Sequence, residues 1–421
     1  MIDLQVYRWG GEMARQHRNV YDLKFEGFLS FTYTPLAVMA FEAMSHLSLG
    51  ALRFVMTGAS IGALAGALWV AWGLAGVTSL PTRAGLALGS SGVALGLEPV
   101  AQTLGFGQIN LLLLFLILVD LALPDRRRWK GAGVGIAAAI KLTPAIFIAY
   151  LALTRRFRAA AAACGTLAAG VGLGFLALPG PSRRFWLGGL FLNSERVGGV
   201  AYAGNQSMNG VLVRLLGGVT AARPAWFVAA AFVGGAGLAL SARASRRGEE
   251  LLGITTCGLT ALLVSPISWS HHWVWIVLLV PCATGLLRRS RWVTGWPAIA
   301  VLVAAFLAAF LAGPVRLIWR PPNTGNIEYG WHGGQLLAGN LYVVLGLLLL
   351  GLAALYLATG EKGGASRVGA ARSSQAADPA GANQGLDFPH VPPYPLRIGQ
   401  KGPFPVVRDG RQSQEGLEHQ G

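Results

Sequence analysis

The feature that most limits what this chain can become is a series of apolar runs, near residues 36–49, 53–76, 84–97, 107–123, 132–151, 159–179, 224–242, 250–264, 267–287, 295–317 and 336–358. A helix that crosses a bilayer needs ~20 apolar residues, and lipid offers no partner to an unpaired backbone amide, so such runs fold as helices. Their number excludes a single soluble core and implies an all-α integral membrane protein, a polytopic bundle with about ten or more membrane segments. Composition agrees, since only 12% of residues are charged against roughly a quarter in soluble domains. Gly and Ala crowd the runs, as in AGVGIAAAI (132–140), and small residues let helices approach where lipid supplies no hydrophobic drive.

Charge then orients the bundle. The net charge is +16, and the tail from Gly360 carries seven Lys/Arg against six Asp/Glu, so the excess belongs to the membrane body. Bases that flank apolar helices report topology and anionic lipid contact rather than nucleic acid; no nucleic-acid partner is expected. The clusters DRRRWK (125–130), TRRFR (154–158), SARASRRGEE (241–250) and LLRRSR (286–291) read as cytoplasmic loops. They share a face if 132–151 is a hairpin with Lys141 and Pro144 at its polar turn, and an intramembrane lysine marks a functional position. The opposite face then receives 1–34, 98–107, 180–223, 265–272 and 318–335, while segments between 36 and 97 do not fit this parity cleanly. The chain therefore divides into an extracytoplasmic segment 1–34, a membrane domain 35–358 and a tail 359–421. The tail is rich in Gly, Ser, Ala and Pro and expected to be disordered and cytoplasmic. A segment holding Arg8, Arg15, Arg18 and Lys24 does not cross unaided, so a further apolar helix is expected upstream of Met1.

Chemistry needs polar groups, and 1–34 is the only long stretch ahead of the tail that mixes carboxylates, bases and aromatics. Asp3, Glu12, Asp22 and Glu26 are its candidate general bases; the plainer reading is an amphipathic lead-in. On the same face, SPISWSHHWVW (265–275) places Trp269, His271 and His272 at a membrane boundary. Aromatic belts account for the tryptophans but not for paired histidines. With no HxxxH and with Cys164, Cys257 and Cys282 each alone in an apolar run, no metal and no cofactor are expected. YAGNQSMNG (202–210) offers Asn205, Gln206, Ser207 and Asn209, and GFGQIN (105–110) offers Gln108 and Asn110 behind Glu98 and Gln102. Each is equally readable as a helix cap and turn. Several on one face, with Arg183, Arg184, Arg196 and Arg214, suggest a pocket for a phosphorylated, hydroxyl-rich ligand.

The series DLQVY with GG (3–11), VYD (20–22), FTYTP (31–35), EPVAQTLGFGQIN (98–110), KLTP (141–144), NQSMNG (205–210) and SPISWSHHW (265–273) resembles glycosyltransferase family 87, the actinobacterial polyprenyl-phosphate-mannose-dependent alpha-mannosyltransferases. The likeness runs in order over roughly 3–358. It implies a GT-C type fold in the plasma membrane, a polyprenyl-phosphate mannose donor on the extracytoplasmic leaflet, a glycolipid or lipoglycan acceptor, and inversion. It also implies an acid in the first outer loop as catalytic base. Spacing alone does not separate Asp3 from Asp22; the resemblance places Asp3, within DLQVY, at the family's position. The candidate substrate-binding residues are Tyr7, Tyr33, Gln108, Asn110, Lys141, Asn205, Gln206, Trp269, His271 and His272. Two departures stand out: Thr34 replaces a proline in FTYTP, and the family's helix ahead of DLQVY is absent from the sequence. Two rivals remain. A transporter or flippase for a lipid-linked sugar would favour inverted repeats, and none is evident; a non-catalytic scaffold would tolerate loss of the first helix.

Overall fold

The computed structural model describes residues 1–289, 296–313 and 327–375. One compact unit covers Met1–Gly364; a second, Ala365–Gly421, is described only over 365–375, where it is helical. Residues 290–291 of one basic cluster, 318–326 of the outer loops and 376–421 of the expected tail lie outside the described residues.

Among the described residues, five helices are long and apolar enough to cross a membrane, within Leu49–Leu74, Phe157–Ala177, Val219–Arg246, Ser270–Arg289 and Leu341–Thr359. The pair Leu80–Gly96 and Glu98–Phe106, bent by 78°, makes a sixth if it is one span. The shorter apolar helices Pro35–Ser45, Asn110–Ala122, Thr143–Leu153, Glu250–Val264 and Pro297–Ala312 are each below the length of a full crossing. Several apolar runs are thus broken within the bundle, which periodicity and hydropathy do not reveal.

The chain opens with α1 (Ile2–Arg15), an amphipathic helix that buries Leu4, Val6, Tyr7, Gly10 and Gly11. A two-stranded hairpin, β1 (Lys24–Phe25) with β2 (Leu29–Ser30), follows, then α2 (Pro35–Ser45). Gly11 is what lets α1 lie on α2, because a Cβ there would sit 2.2 Å from the Phe41 carbonyl oxygen. Next come α3 (Leu49–Leu74), α4 (Leu80–Gly96), α5 (Glu98–Phe106) and α6 (Asn110–Ala122). Gly107 ends α5 in the left-handed conformation, φ 73°, which a side chain would resist. The Leu4 Cβ lies 2.7 Å from where a Gly107 Cβ would be, so this turn brings Gln108 beside α1.

Run 132–151 is a hairpin. α7 (Ala132–Ile140) and α8 (Ile146–Leu153) are separated by extended Lys141 and a 3-10 turn at Thr143–Ala145. Gly131 packs on Ala159, Gly135 on Ala163 and Ala139 on Gly170, so α7 runs parallel to α9 (Phe157–Ala177). Both feet of the hairpin meet at Asp125, which pairs with Lys130 at 2.8 Å and with Arg156 at 3.4 Å. Its tip, bearing Lys141, lies at the opposite end.

The remaining elements include α10 (Pro179–Ser182), α11 (Met208–Leu216), α12 (Val219–Arg246), α13 (Glu250–Val264), a 3-10 helix Ser270–Leu278 continued by α14 (Leu279–Arg289), α15 (Trp296–Ala312), and a last helix Leu341–Gln375. Four basic loops converge at one end. Arg156 reaches Glu250 at 2.5 Å, Arg289 reaches Glu249 at 2.6 Å, and the Arg246 guanidinium donates to the Leu153 carbonyl at 3.2 Å. The other end joins 98–110, 200–214, 265–272 and 328–342. There Arg214 Nε donates to Asn340 Oδ1 at 3.0 Å, and the Ala203 amide to Glu328 Oε1 at 3.1 Å. The basic loops thus gather at one end of the bundle and the polar loops at the other.

Candidate active site

Two polar groups meet at the end away from the basic loops. The first is built on α1, the irregular segment leading into α2, and the α5–α6 turn. Gln108 Nε2 donates to Asp3 Oδ2 at 2.7 Å, while its Oε1 accepts from the Tyr7 and Tyr33 hydroxyls, each at 2.8 Å. The two hydroxyl oxygens lie 2.6 Å apart, close enough for one hydroxyl to donate to the other in place of Gln108. Burial pushes both phenols well above their ordinary value, which keeps them neutral. The Asp3 carboxyl is also raised by burial, with the Gln108 hydrogen bond and the Lys141 charge pulling it partway back. A carboxylate that is half-buried and tethered through one oxygen keeps the other free to take a proton.

The second group is centred on Lys141 at the hairpin tip. Its ammonium donates to Asn110 Oδ1 at 3.1 Å and sits 5.5 Å from the centre of the Tyr33 ring, a cation–π distance. Tyr33 therefore faces both groups, with its hydroxyl toward Gln108 and its ring toward Lys141. His272 Nε2 lies 3.1 Å from Lys141 Nζ. His272 Nδ1 accepts the Trp269 backbone N–H at 3.2 Å, which places the ring proton on Nε2. An ammonium has no lone pair, so Nζ and Nε2–H are two donors converging on one point, the arrangement an anionic oxygen satisfies.

Thr34 fixes the tip from below. Its Oγ1 caps α2 by accepting from the Ala37 amide at 3.3 Å, and it donates to the Ala139 and Ile140 carbonyls just before Lys141. A proline here would leave those carbonyls without this donor, so the departure at Thr34 carries a contact of its own. Asn110 Nδ2 and Thr103 Oγ1 donate to the His271 carbonyl at 3.0 and 2.8 Å, tying the α5–α6 turn to the His271–His272 segment. A small cavity of about 50 Å³ opens beside Lys141, with Asn110, Pro144, Phe147, His272 and Trp275 in its wall.

Asp3, Tyr7, Tyr33, Gln108, Asn110, Lys141 and His272 thus form one cluster. His271 joins through its carbonyl; its buried Nε2 has no partner among the described residues. Asn205 and Gln206 do not join. Asn205 Nδ2 donates to the Val200 carbonyl at 3.0 Å and its Oδ1 accepts the Ser268 amide at 3.0 Å. Gln206 Nε2 donates to the Ala203 and Gly339 carbonyls, 2.8 and 2.6 Å, and its Oε1 accepts the Tyr342 amide at 3.2 Å. Both are fully buried and hold loops together instead of presenting hydrogen-bonding groups to a ligand. Trp269 lies against Gly198 and beside Tyr202, whose ring centre is 5.9 Å away.

Three of the four arginines expected to line a pocket are engaged elsewhere, Arg196 by donating to the Tyr21 carbonyl at 3.2 Å. Arg214 is buried and its Nη1 donates to the Ala201 and Tyr202 carbonyls, each at 3.2 Å. Arg184 pairs at 2.5 Å with Asp22, the rival base, on the exposed surface. Glu12 faces Arg15 at 3.8 Å, and Glu26 sits in the β1–β2 turn with φ 49°. A sequence reading alone passes over Thr103; its signal is its place on the same turn of α5 as Gln102.

Residues 31–266 match glycosyltransferase family 87. The chain is 33% identical over 359 residues, 83% of its length and 80% of the relative's, to a polyprenol-phosphate-mannose-dependent alpha-(1-2)-phosphatidylinositol pentamannoside mannosyltransferase of Mycobacterium tuberculosis. It is also 33% identical over 372 residues, 81% of each chain, to a polyprenol-phosphate-mannose-dependent alpha-(1-2)-phosphatidylinositol mannoside mannosyltransferase of Mycolicibacterium smegmatis. No solved structure matches the chain at a significant level.

Proposed function

Because the chain belongs to glycosyltransferase family 87, we infer that the cluster joining Asp3 to Lys141 is where it moves mannose from a polyprenyl phosphate to a glycolipid hydroxyl. The protein is a membrane mannosyltransferase that depends on a polyprenyl-phosphate mannose donor. A sugar hydroxyl is a poor nucleophile, so a carboxylate must take its proton as the new bond forms; Asp3 fills that role. The acceptor oxygen attacks the anomeric carbon from the face opposite the phosphate and inverts it. The C–O bond to phosphate breaks with its electron pair going to the phosphate oxygen, and the acceptor proton passes to Asp3. The departing phosphomonoester needs positive charge and donors more than it needs an acid, which Lys141 and His272 Nε2–H supply.

The observation that carries this reading is the placement of one carboxylate and one ammonium in a single cluster, bridged by Gln108 and Tyr33. The wider picture is a GT-C type bundle of about ten or more membrane segments, in which the shorter apolar helices are partial or oblique crossings. Segment 1–34 faces the outside of the plasma membrane, 35–358 forms the membrane domain and the tail is cytoplasmic. The acceptor is a mannosylated inositol lipid or a related glycolipid, the chemistry that the relatives' names carry. Membranes containing the protein, given radiolabelled polyprenyl-phosphate mannose, should form a new labelled glycolipid. Label that only changes sides of the membrane, without a new glycosidic bond, would identify a flippase instead.

A further inference from the structure

Of the four arginines expected to line a pocket, Arg183 is the one that has no partner among the described residues, and it is exposed. It opens a five-residue π-helix, Arg183–Leu187, that follows α9 and α10. α9 starts beside Arg156 at the basic end, and its far end lies on the start of α2, where a Cβ at Gly174 would stand 3.1 Å from Pro35. Arg183 therefore stands at the same end of the bundle as the Asp3 cluster.

The segment after α10 has two flanks of opposite character. Leu187 and Leu192 are 76% and 75% exposed, and Phe191 and Val197 are exposed with them, an apolar flank of the kind that lies in a membrane interface. The other flank is fixed to the site. Phe185 is buried against the Tyr21 ring, centre to centre 5.2 Å, Arg184 pairs with Asp22 at 2.5 Å, and Arg196 donates to the Tyr21 carbonyl at 3.2 Å. The Tyr21 hydroxyl in turn donates to the Tyr33 carbonyl at 2.8 Å, and Tyr33 is the residue that joins the Asp3 and Lys141 groups. Asp22 is thus spent on Arg184, and the exposed Glu195 pairs with no arginine among the described residues. Arg183 is left as a charge without a counterion, between an apolar flank and a loop tied to the site.

We propose that Arg183 binds the phosphodiester of an anionic acceptor glycolipid, whose acyl chains lie along Leu187 and Leu192 while its sugars reach inward to Asp3. This rests on the function proposed above, which supplies an acceptor with both a lipid anchor and a phosphate. The phosphodiester is that lipid's fixed charge, placed between the chains in the leaflet and the hydroxyl that must meet the base. A guanidinium at that level matches phosphate geometry and sets how far the sugars extend. A bulk anionic phospholipid would find the same charge and the same apolar flank. It gains nothing from a loop tied to Tyr33, whereas an acceptor gains a fixed register with Asp3. The donor's phosphate already has Lys141 and His272.

Native mass spectrometry of the full chain in mild detergent, titrated with a phosphatidylinositol mannoside or with phosphatidylglycerol, tests the site. Acceptor and donor KM values in phosphatidylcholine vesicles test its use. The phosphatidylinositol mannoside should bind about tenfold more tightly than phosphatidylglycerol. Arg183→Gln should weaken that binding and raise the acceptor KM about tenfold, with the donor KM within about twofold of wild type. Its melting temperature should not move, because Arg183 supports no other described group. Arg183→Lys, which keeps the charge without the planar fork, should recover part of the affinity. Equal binding of the two lipids would make this a site for bulk lipid and overturn the proposal. So would an acceptor affinity indifferent to Arg183→Gln, or a donor KM that rises in parallel. A wild-type protein that binds the phosphatidylinositol mannoside through Arg183 yet transfers no mannose would sink the proposed reaction and leave the binding site standing.

Discussion

The two ends of the bundle hold their loops together by different means. At the basic end full charges neutralise one another: Arg156 with Glu250, Arg289 with Glu249, Lys130 with Asp125. At the candidate site neutral groups do the joining: Gln108 between Asp3 and two tyrosines, Asn110 between Lys141 and the His271 carbonyl, while Gln206 holds three backbone groups nearby. A carboxylate locked into an ion pair has little basicity to lend. Asp3 and Lys141 are held by amides and a ring rather than by each other, so each keeps its capacity to act on a substrate.

The sharpest way to break this contrast is to remove the charge of Asp3 alone. Asp3→Asn preserves shape and should lower transfer about 100- to 10,000-fold, with donor binding nearly intact. Parallel binding and transfer assays check it, and a variant that keeps more than about a tenth of the wild-type rate refutes the role. Lys141→Ala comes next. It removes one of the two donors aimed at the phosphate and should weaken donor binding about 10- to 100-fold. Unchanged donor affinity would return Lys141 to a structural role.

The neutral frame can be tested by pH. Catalysis needs Asp3 ionised, so the rate falls as pH drops through its pKa. Burial raises that pKa and the Gln108 N–H opposes the rise. Gln108→Leu therefore destabilises the charged form further and should move the acid limb of kcat/KM to higher pH, with about tenfold less activity near neutrality. An acid limb that stays in place would show that Gln108 does not tune the base. Thr34→Val should cost less, about three- to tenfold in kcat, because it frees the carbonyls ahead of Lys141 without touching substrate. Thr34→Ser should restore activity, which a pure volume effect at this position would not allow.

How far the contrast is visible in sequence depends on the residue. Charge shows the two ends, because Lys and Arg beside apolar runs obey a rule that acts on short stretches of chain. Lys141 is visible because a cation in an apolar run is costly. Asp3 is separated from Asp22 only by resemblance, and the structure adds a physical difference, since Asp22 is spent on Arg184. Asn205 and Gln206 mislead because an amide looks alike whether its partner is a sugar or a carbonyl sixty residues away, as Asn205 finds in Pro266. Breaks in the apolar runs are legible unevenly: the one at Lys141 is marked in the sequence by Lys141 and Pro144, whereas the 78° bend after Gly96 lies in a stretch whose hydropathy does not record it.

The smallest expected effect on chemistry, and the one that tests the other side of the contrast, is at Glu250. It joins three elements, accepting from Arg156 at 2.5 and 2.7 Å, from the Tyr150 hydroxyl at 2.9 Å and from the Ser245 hydroxyl at 2.7 Å. Glu250→Gln keeps the shape but leaves Arg156 facing a neutral amide, with Asp125 its remaining carboxylate at 3.4 Å. Hydrogen bonds to charged groups contribute about 1.5–3 kcal/mol, so the melting temperature in detergent should fall by several degrees. The hairpin's feet loosen, yet its tip is held separately by Thr34, Asn110 and His272. A helix as long as α6, 13 residues or about 20 Å, lies between the two ends. Transfer per folded molecule should therefore stay within about twofold of wild type, measured at a temperature where the variant remains folded. A loss as large as that of Thr34→Val would mean that the charged end positions Lys141 through the hairpin, and that the two ends are one device.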